Sequence, residues 1–277
     1  MSVESVQAID VHAHYGRYFR PHFTELVNRF LTGDAETVVQ RAQRANTELT
    51  IVSPMLGLTP RGQADAVAGN DEAERVVRET DGLLQWVIVH PQQEQTYEQA
   101  RRLLQSPQCV GIKIHPEEHV YPITEHGRAI FEFAAEHKAF VLAHSGDEHS
   151  MPMDFVPFAN DYPDVSLILA HLGNGGHASG SPDHQVRAIQ ACRNANLYTD
   201  TSSARSLMPE LIEWAVDEIG PDAILYGTDT PGYFSGSQRA RIDQAEMPDT
   251  AKRKILRDNA VRLLELHGTV VDGATAP

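Results

Sequence analysis

Eight times along the chain a short run rich in Val, Ile and Leu is followed by a longer stretch with apolar residues at helical spacing, and nothing else in the sequence restricts the fold as strongly. The runs cover residues 6–12, 49–53, 84–90, 110–115, 139–144, 165–171, 196–201 and 223–229. Stretches such as Trp86-Val87-Ile88-Val89 are apolar at consecutive positions, as strands of a parallel sheet buried on both faces are. Helical spacing runs over 34–47, 64–80, 96–105, 124–137, 183–195 and 206–219, with Asp34, Thr124 and Asp183 as N-caps. A last helix over 249–267 offers Ile255, Leu256, Val261, Leu263, Leu264 and Leu266 to packing. Alternating strands and helices define an α/β protein, and eight such units close into a (β/α)8 TIM barrel, for which 277 residues is near the roughly 250 that such barrels use. An open doubly wound sheet is the rival arrangement. No repeat, low-complexity block or Gly/Ser linker divides the chain, so residues 1–277 read as a single domain with a loose tail after Gly268.

Charge narrows the partners. A formal net charge of −15 without any Lys/Arg run disfavours nucleic acid and anionic membrane, which are bound through clustered cations. Residues 1–8 contain neither a basic stretch nor an apolar core, and no apolar run approaches the roughly 18 residues of a membrane span, so a cytoplasmic protein is expected. Cys109 and Cys192 have no CxxC spacing and read as small buried hydrophobes. A small-molecule substrate is the partner this leaves.

The chain has 14 histidines, and their positions matter more than their number. Ligand sites in α/β folds lie at the carboxyl ends of the strands. The first run ends in Asp10-Val11-His12-Ala13-His14, the third in His90, the fourth in Lys113-Ile114-His115, the fifth in His144, the sixth in His171 and the eighth in Asp229. Packing alone does not select polar residues at so many strand ends. Side chains two apart on a strand share a face, so His12 and His14 are expected at the barrel mouth, with Ile9, Val11 and Ala13 toward the helices. Two imidazoles on one face are half of a metal site, to which His144 can add a nitrogen and Asp229 a carboxylate oxygen. Such a donor set suits Zn²⁺ best and accommodates Mn²⁺, Fe²⁺ or Co²⁺.

The ordered set Asp10-x-His12-x-His14, Gly111-Ile112-Lys113-Ile114-His115-Pro116, Ala143-His144-Ser145-Gly146, Ala170-His171-Leu172-Gly173, Tyr226-Gly227-Thr228-Asp229 and Asn259-Ala260-Val261-Arg262-Leu263-Leu264 resembles the amidohydrolase superfamily. Within it, the chain resembles the amidohydrolase-related branch of small barrel metalloenzymes, which includes hydrolases, lactonases and nonoxidative decarboxylases. The resemblance implies that His12, His14, His144 and Asp229 hold a catalytic metal, and that His171 contacts the metal's water or ligates a second ion. It implies a metal-activated water, with Asp229 taking its proton and later returning it to the leaving group. Lys113 is the ambiguous position. In binuclear members a fourth-strand lysine is carbamylated and bridges two ions, whereas as a plain ammonium it would polarise a substrate carbonyl or pair with a carboxylate. One ion is the favoured reading, and two follow if Lys113 is carbamylated. Nucleases sharing the first-strand signature use a glutamate where this chain has lysine, and its acidic surface discourages DNA.

Other residues carry weaker signals. Asp10 lies one layer deeper and suits an internal hydrogen bond, while His90 reads as structural and His115 as either a substrate contact or a support. His119, His149 and His177 fall in loops and read as solvated, and His22, His126, His137, His184 and His267 carry no signal. Gly173-Asn174-Gly175-Gly176 lacks phosphate-cradle spacing and reads as a turn. Arg17, Arg20 and Arg205 lie in loops from which a guanidinium can grip a carboxylate, and Tyr233 and Phe234 follow Asp229 as a wall. Ser145 lacks a nucleophile-elbow pattern. The sequence therefore predicts a metal-dependent hydrolase of an ester, lactone or amide. Its alternative is a metal-dependent nonoxidative decarboxylase of an aromatic or unsaturated acid. A barrel without catalysis is disfavoured because no member of the set is missing. Relatives often dimerise, so a homo-oligomer is compatible with the sequence.

Overall fold

The eight apolar runs become eight strands: β1 (Ala8–Tyr15), β2 (Thr47–Pro54), β3 (Leu83–Ile88), β4 (Cys109–Ile114), β5 (Phe140–Ala143), β6 (Leu167–Leu169), β7 (Leu197–Asp200) and β8 (Ile224–Leu225). The computed structural model describes residues 3–175 and 180–269, so His177 and nearly all of the expected loose tail lie outside the described residues. The strands form one sheet in the order β1 to β8, with each consecutive pair parallel. Beyond the short β8, backbone hydrogen bonds bring the last strand back to the first. Val11 donates to Tyr226 O at 2.9 Å, Asp229 to His12 O at 2.8 Å, and His14 to Thr230 O at 2.7 Å. The arrangement is the (β/α)8 barrel.

One cluster of buried side chains draws on every strand: Ile9 and Val11, Ile51, Trp86, Val110, Phe140 and Leu142, Ile168, Tyr198, and Leu225. It is the barrel interior. Ala260, Leu263 and Leu264 of the final helix join it, which is the packing role expected of that segment. Burying one such side chain contributes about 1.5–3 kcal/mol.

The expectation that Ile9 and Val11 face the helices is overturned. Strict alternation fails because β1 carries an irregularity, with Asp10 opposite Thr50 but Ala13 opposite Val52, so three steps on β1 match two on β2. Ile9 and Val11 point inward beneath the mouth, while Ala13 packs outward with Val38 and Val52. The extra residue is what allows His12 and His14 to share the mouth above an apolar Val11.

The predicted helices form with small changes at their ends. Asp34 caps Ala35–Arg44 by accepting from Thr37 N, whereas Pro122, two residues before the expected Thr124, sits at the N-cap of Ile123–Glu136. The last helix is interrupted by a π turn over Lys254–Asp258. Periodicity misses Glu25–Phe30, Pro116–His119, Pro152–Asp161 and Ser235–Asp243. In Ser235–Asp243 the buried face contains Gln238 and Arg239 beside Ile242, so burial does not show as an apolar stripe. Arg239 is held there by Asp243 and by the carbonyls of Val3, Val6 and Asn46, which ties the amino-terminal segment down. Both cysteines are free, Cys109 buried and Cys192 half-buried.

Candidate metal centre

His12 and His14 arrive at the mouth with one ring nitrogen of each already committed. His14 Nδ1 lies 3.0 Å from the Ser53 carbonyl oxygen, which can only accept, so this nitrogen carries the hydrogen and Nε2 is left bare. His12 Nδ1 lies 2.9 Å from Asp200 Oδ2, which orients the second ring the same way. Its Nε2 receives Lys113 Nζ at 2.9 Å. Burial, aided by the Lys113 charge and opposed by Asp200, brings the His12 pKa down to about 4 and so favours the neutral ring that a metal needs.

Asp229 completes the cluster. Its Oδ1 is 3.1 Å from His14 Nε2 and 3.9 Å from His12 Nε2, and the three ligand atoms lie within 4.8 Å of one another. A bare imidazole nitrogen and a carboxylate oxygen both present lone pairs, so their close approach requires a proton or a cation between them. Two ligand atoms at about 2.1 Å from a shared cation stand roughly 3 to 3.5 Å apart, which matches the His14–Asp229 pair. The residues therefore fit a divalent cation, and the structure contains a His/His/Asp metal-binding cluster. Burial alone would raise the Asp229 pKa. The close approach of His14 and the imidazoles of His171 and His12 outweigh it and hold the carboxyl below its ordinary range.

Local backbone geometry supports this placement. Asp229 and His171 adopt φ of +54° and +71°, a left-handed region that costs a side-chain-bearing residue about 1–2 kcal/mol. His171 is held by its N–H on Asp200 Oδ1 at 3.1 Å, and Asp229 by its N–H on the His12 carbonyl. Gly227 permits the approach of β8, since a Cβ there would come within 3.1 Å of both Asp200 and His12. Asp10 accepts from Thr228 N at 3.0 Å and His12 N at 3.1 Å, and burial outweighs these bonds to raise it to about 7. Asp10 therefore ties the β1–β8 seam together from the inside.

The other histidines are linked to one another. His144 Nδ1 and His171 Nε2 are 3.0 Å apart, His144 Nε2 meets Asp147 at 2.6 Å, and His171 Nδ1 meets Ser202 Oγ at 2.7 Å. His115 stacks on His144 with centroids 4.1 Å apart. The structure thus brings His12, His14 and Asp229 together, with Lys113 against His12, while His144 is held by His171 and Asp147. Lys113 is fully buried, and burial lowers its pKa to about 8 against the pull of Asp229 and Asp200. His90 packs on His119 and Tyr121 and is not part of the cavity lining.

Asp200 is the residue that sequence reasoning passed over. It orients His12, accepts from His171 N and, with His12 and His171, forms a second potential ligand group. It is the penultimate residue of the seventh run, and an inspection confined to final residues steps past it.

Above the cluster opens a cavity of about 750 Å³, with His14, His171 and Asp229 at its floor and Tyr18, Phe23, Leu31, Met55, Leu58 and Tyr233 among its walls. Phe234 is exposed and is not part of the lining.

An eight-stranded barrel with a metal-binding cluster beneath a pocket at its carboxyl end defines the class of metal-binding TIM-barrel enzymes. Residues 9–266 match the amidohydrolase family model, and the chain belongs to that family. No curated protein matches it. Among solved structures it is similar to 2,6-dihydroxybenzoate decarboxylase from Rhizobium, with a TM-score of 0.73 and 15% identity over 97% of this chain and 100% of that one. It is also similar to a dihydroxybenzoic acid decarboxylase from Polaromonas sp. JS666 with bound manganese and the inhibitor 2-nitroresorcinol, with a TM-score of 0.71 and 15% identity over 96% and 98% of the chains. For 5-carboxyvanillate decarboxylase from Sphingomonas paucimobilis the TM-score is 0.69 and the identity 12%, over 94% and 99%. At these identities the likeness is one of fold. Among the described residues no helix is long and apolar enough to cross a membrane.

Proposed function

We propose that the protein is a metal-dependent nonoxidative decarboxylase of an aromatic or unsaturated carboxylic acid, in preference to the hydrolase that the sequence first suggests. The observation that carries this reading is the pocket, where a flat apolar acid can lie between Tyr18, Phe23, Met55, Leu58 and Tyr233 with its polar end toward His14 and Asp229. Several solved structures of similar fold are of decarboxylases of aromatic acids, which supports the same choice.

In this reading His12, His14 and Asp229 hold the cation, and His144 is the fourth ligand that the family resemblance adds. When bound, a divalent ion there supplies Lewis-acid stabilisation of negative charge on the substrate. Manganese accompanies the Polaromonas enzyme, and the His/His/Asp donor set suits manganese as well as zinc. Asp200 and Ser53 orient the imidazoles, and the apolar walls keep water from the reacting carbon. As the carbon–carboxylate bond breaks and carbon dioxide leaves, the carbon takes up a proton that Asp229 first accepts from solvent and then passes on at its carboxyl oxygen. His171, braced by Ser202, orients the substrate beside it.

Hydrolysis of an ester, lactone or amide is the second reading, favoured by Lys113, which is buried against His12 at the fourth-strand position that binuclear relatives carbamylate. The two are separated by incubating manganese-loaded protein in D₂O with a set of hydroxybenzoates and, separately, of lactones and aryl esters. Carbon dioxide release with deuterium at the vacated carbon is expected. Cleavage of lactone or ester with no loss of carbon dioxide from any acid would reverse the choice.

A further inference from the structure

The structure separates the three loop arginines that the sequence marks as possible carboxylate grips. Arg17 does not line the pocket, and its guanidinium lies over the Phe19 ring at 5.4 Å. Arg20 lines the pocket but is committed, with both terminal nitrogens on Glu118 and Nε on Tyr18 Oη at 2.9 Å. Arg61, on the loop after β2, also lines the pocket and is paired with Glu118 at 3.3 Å and Glu117 at 3.8 Å. Arg205 lines the same pocket, and among the described residues its guanidinium has neither an ion pair nor a hydrogen bond.

Of the three arginines that line the pocket, Arg205 is the one without a carboxylate partner among the described residues. The position itself is well defined. Arg205 N donates to Ser203 Oγ at 3.2 Å, and its Cβ abuts Gly173, where an added Cβ would come within 3.4 Å of it, two residues beyond His171. Tyr233, Asp229 and Arg205 line the same pocket, so the guanidinium and the cation cluster face one cavity. The other carboxylates lining the pocket are engaged: Glu118 by two arginines and Asp147 by His144.

We infer that the substrate carries a second carboxylate, remote from the one that leaves, and that Arg205 is the specificity-determining residue that pairs with it. The inference rests on the reading of the pocket as an aromatic-acid site and names the substrate class as a dicarboxylate. A charge-assisted pair at a solvent-facing guanidinium gives a preference of about tenfold.

The test is calorimetric binding of benzoate and of benzene-1,3-dicarboxylate to the manganese-loaded protein, in wild type, Arg205→Gln and Arg205→Lys. Wild type should bind the dicarboxylate about tenfold more tightly, Arg205→Gln should bind the two alike, and Arg205→Lys should keep part of the preference. Equal binding by wild type, or a preference that survives Arg205→Gln, overturns the assignment of Arg205 while leaving the aromatic-acid site intact. Failure of both acids to bind wild type overturns that site and the inference with it.

Discussion

Two walls of the barrel mouth are built from the same residue type and differ in what holds the rings. At the seam of β1 and β8, His12 and His14 each have Nδ1 fixed by an oxygen acceptor, Asp200 or Ser53, and both turn Nε2 toward Asp229. On the wall of β4 to β6, His144 has both nitrogens engaged, by His171 and by Asp147, and His115 lies flat against it. His14 therefore has a nitrogen ready to ligate, His12 needs only to part from Lys113 Nζ while Asp200 keeps its ring oriented, and His144 must give up His171 or Asp147. The position of a histidine at a strand end therefore marks the site, and the partner of its second nitrogen sets the work it does.

The largest effect is expected at the seam carboxylate. Asp229→Asn should lower turnover by about 10³-fold or more with the melting temperature nearly unchanged, since it removes a proton carrier and a ligand charge together. Turnover near wild type would break the assignment. Removing a ring from the seam comes next. His12→Ala and His14→Ala should each reduce bound metal, measured by elemental analysis, to less than about a tenth of an equivalent per chain. The parallel His144→Ala sharpens the contrast: retained metal makes the cation set a seam property, and lost metal makes His144 the fourth ligand that family resemblance implies. Asp200→Asn, which loosens a ring without removing a ligand, should weaken metal affinity by about 10- to 100-fold in a chelator competition. Unaltered affinity would mean that Asp200 does not orient His12.

The mildest effect concerns a histidine that serves neither wall. Contrary to the solvated position expected from sequence, His119 is buried in the short helix Pro116–His119, with Nε2 2.8 Å from Gly57 O and Nδ1 unpartnered, and burial lowers its pKa from 6.5 to about 4. A depressed pKa in the folded state favours the neutral ring. Its contribution to stability is therefore full above pH 6.5 and is lost as pH falls toward 4, amounting to about 2 kcal/mol at pH 5. In urea titrations His119→Gln should lose less stability than wild type between pH 7 and pH 5, and an equal loss in both would remove His119 from the acid response.

The comparison also explains what could be read from the sequence. The eight strands were legible because burial on both faces leaves continuous apolar runs, and the strand-end census found His12, His14, His171 and Asp229 because the fold directs those ends at the pocket. The face of Val11 was not legible, since alternation assumes a regular strand and β1 is irregular between Asp10 and Ala13. Asp200 was missed because its tie to His12 spans 188 residues and leaves no local pattern. Ser235–Asp243 escaped because it buries Gln238 and Arg239 as well as Ile242. In each case a contact distant in sequence, or an irregular backbone, decided what periodicity could not.

In the proposed function the seam of β1 and β8 holds the cation. Anomalous diffraction from crystals grown with manganese or zinc tests it most directly. A peak is expected at ordinary coordination distance, about 2.0–2.2 Å, from His12 Nε2, His14 Nε2 and Asp229. A peak confined to His12, His171 and Asp200, or none at the mouth, would contradict it.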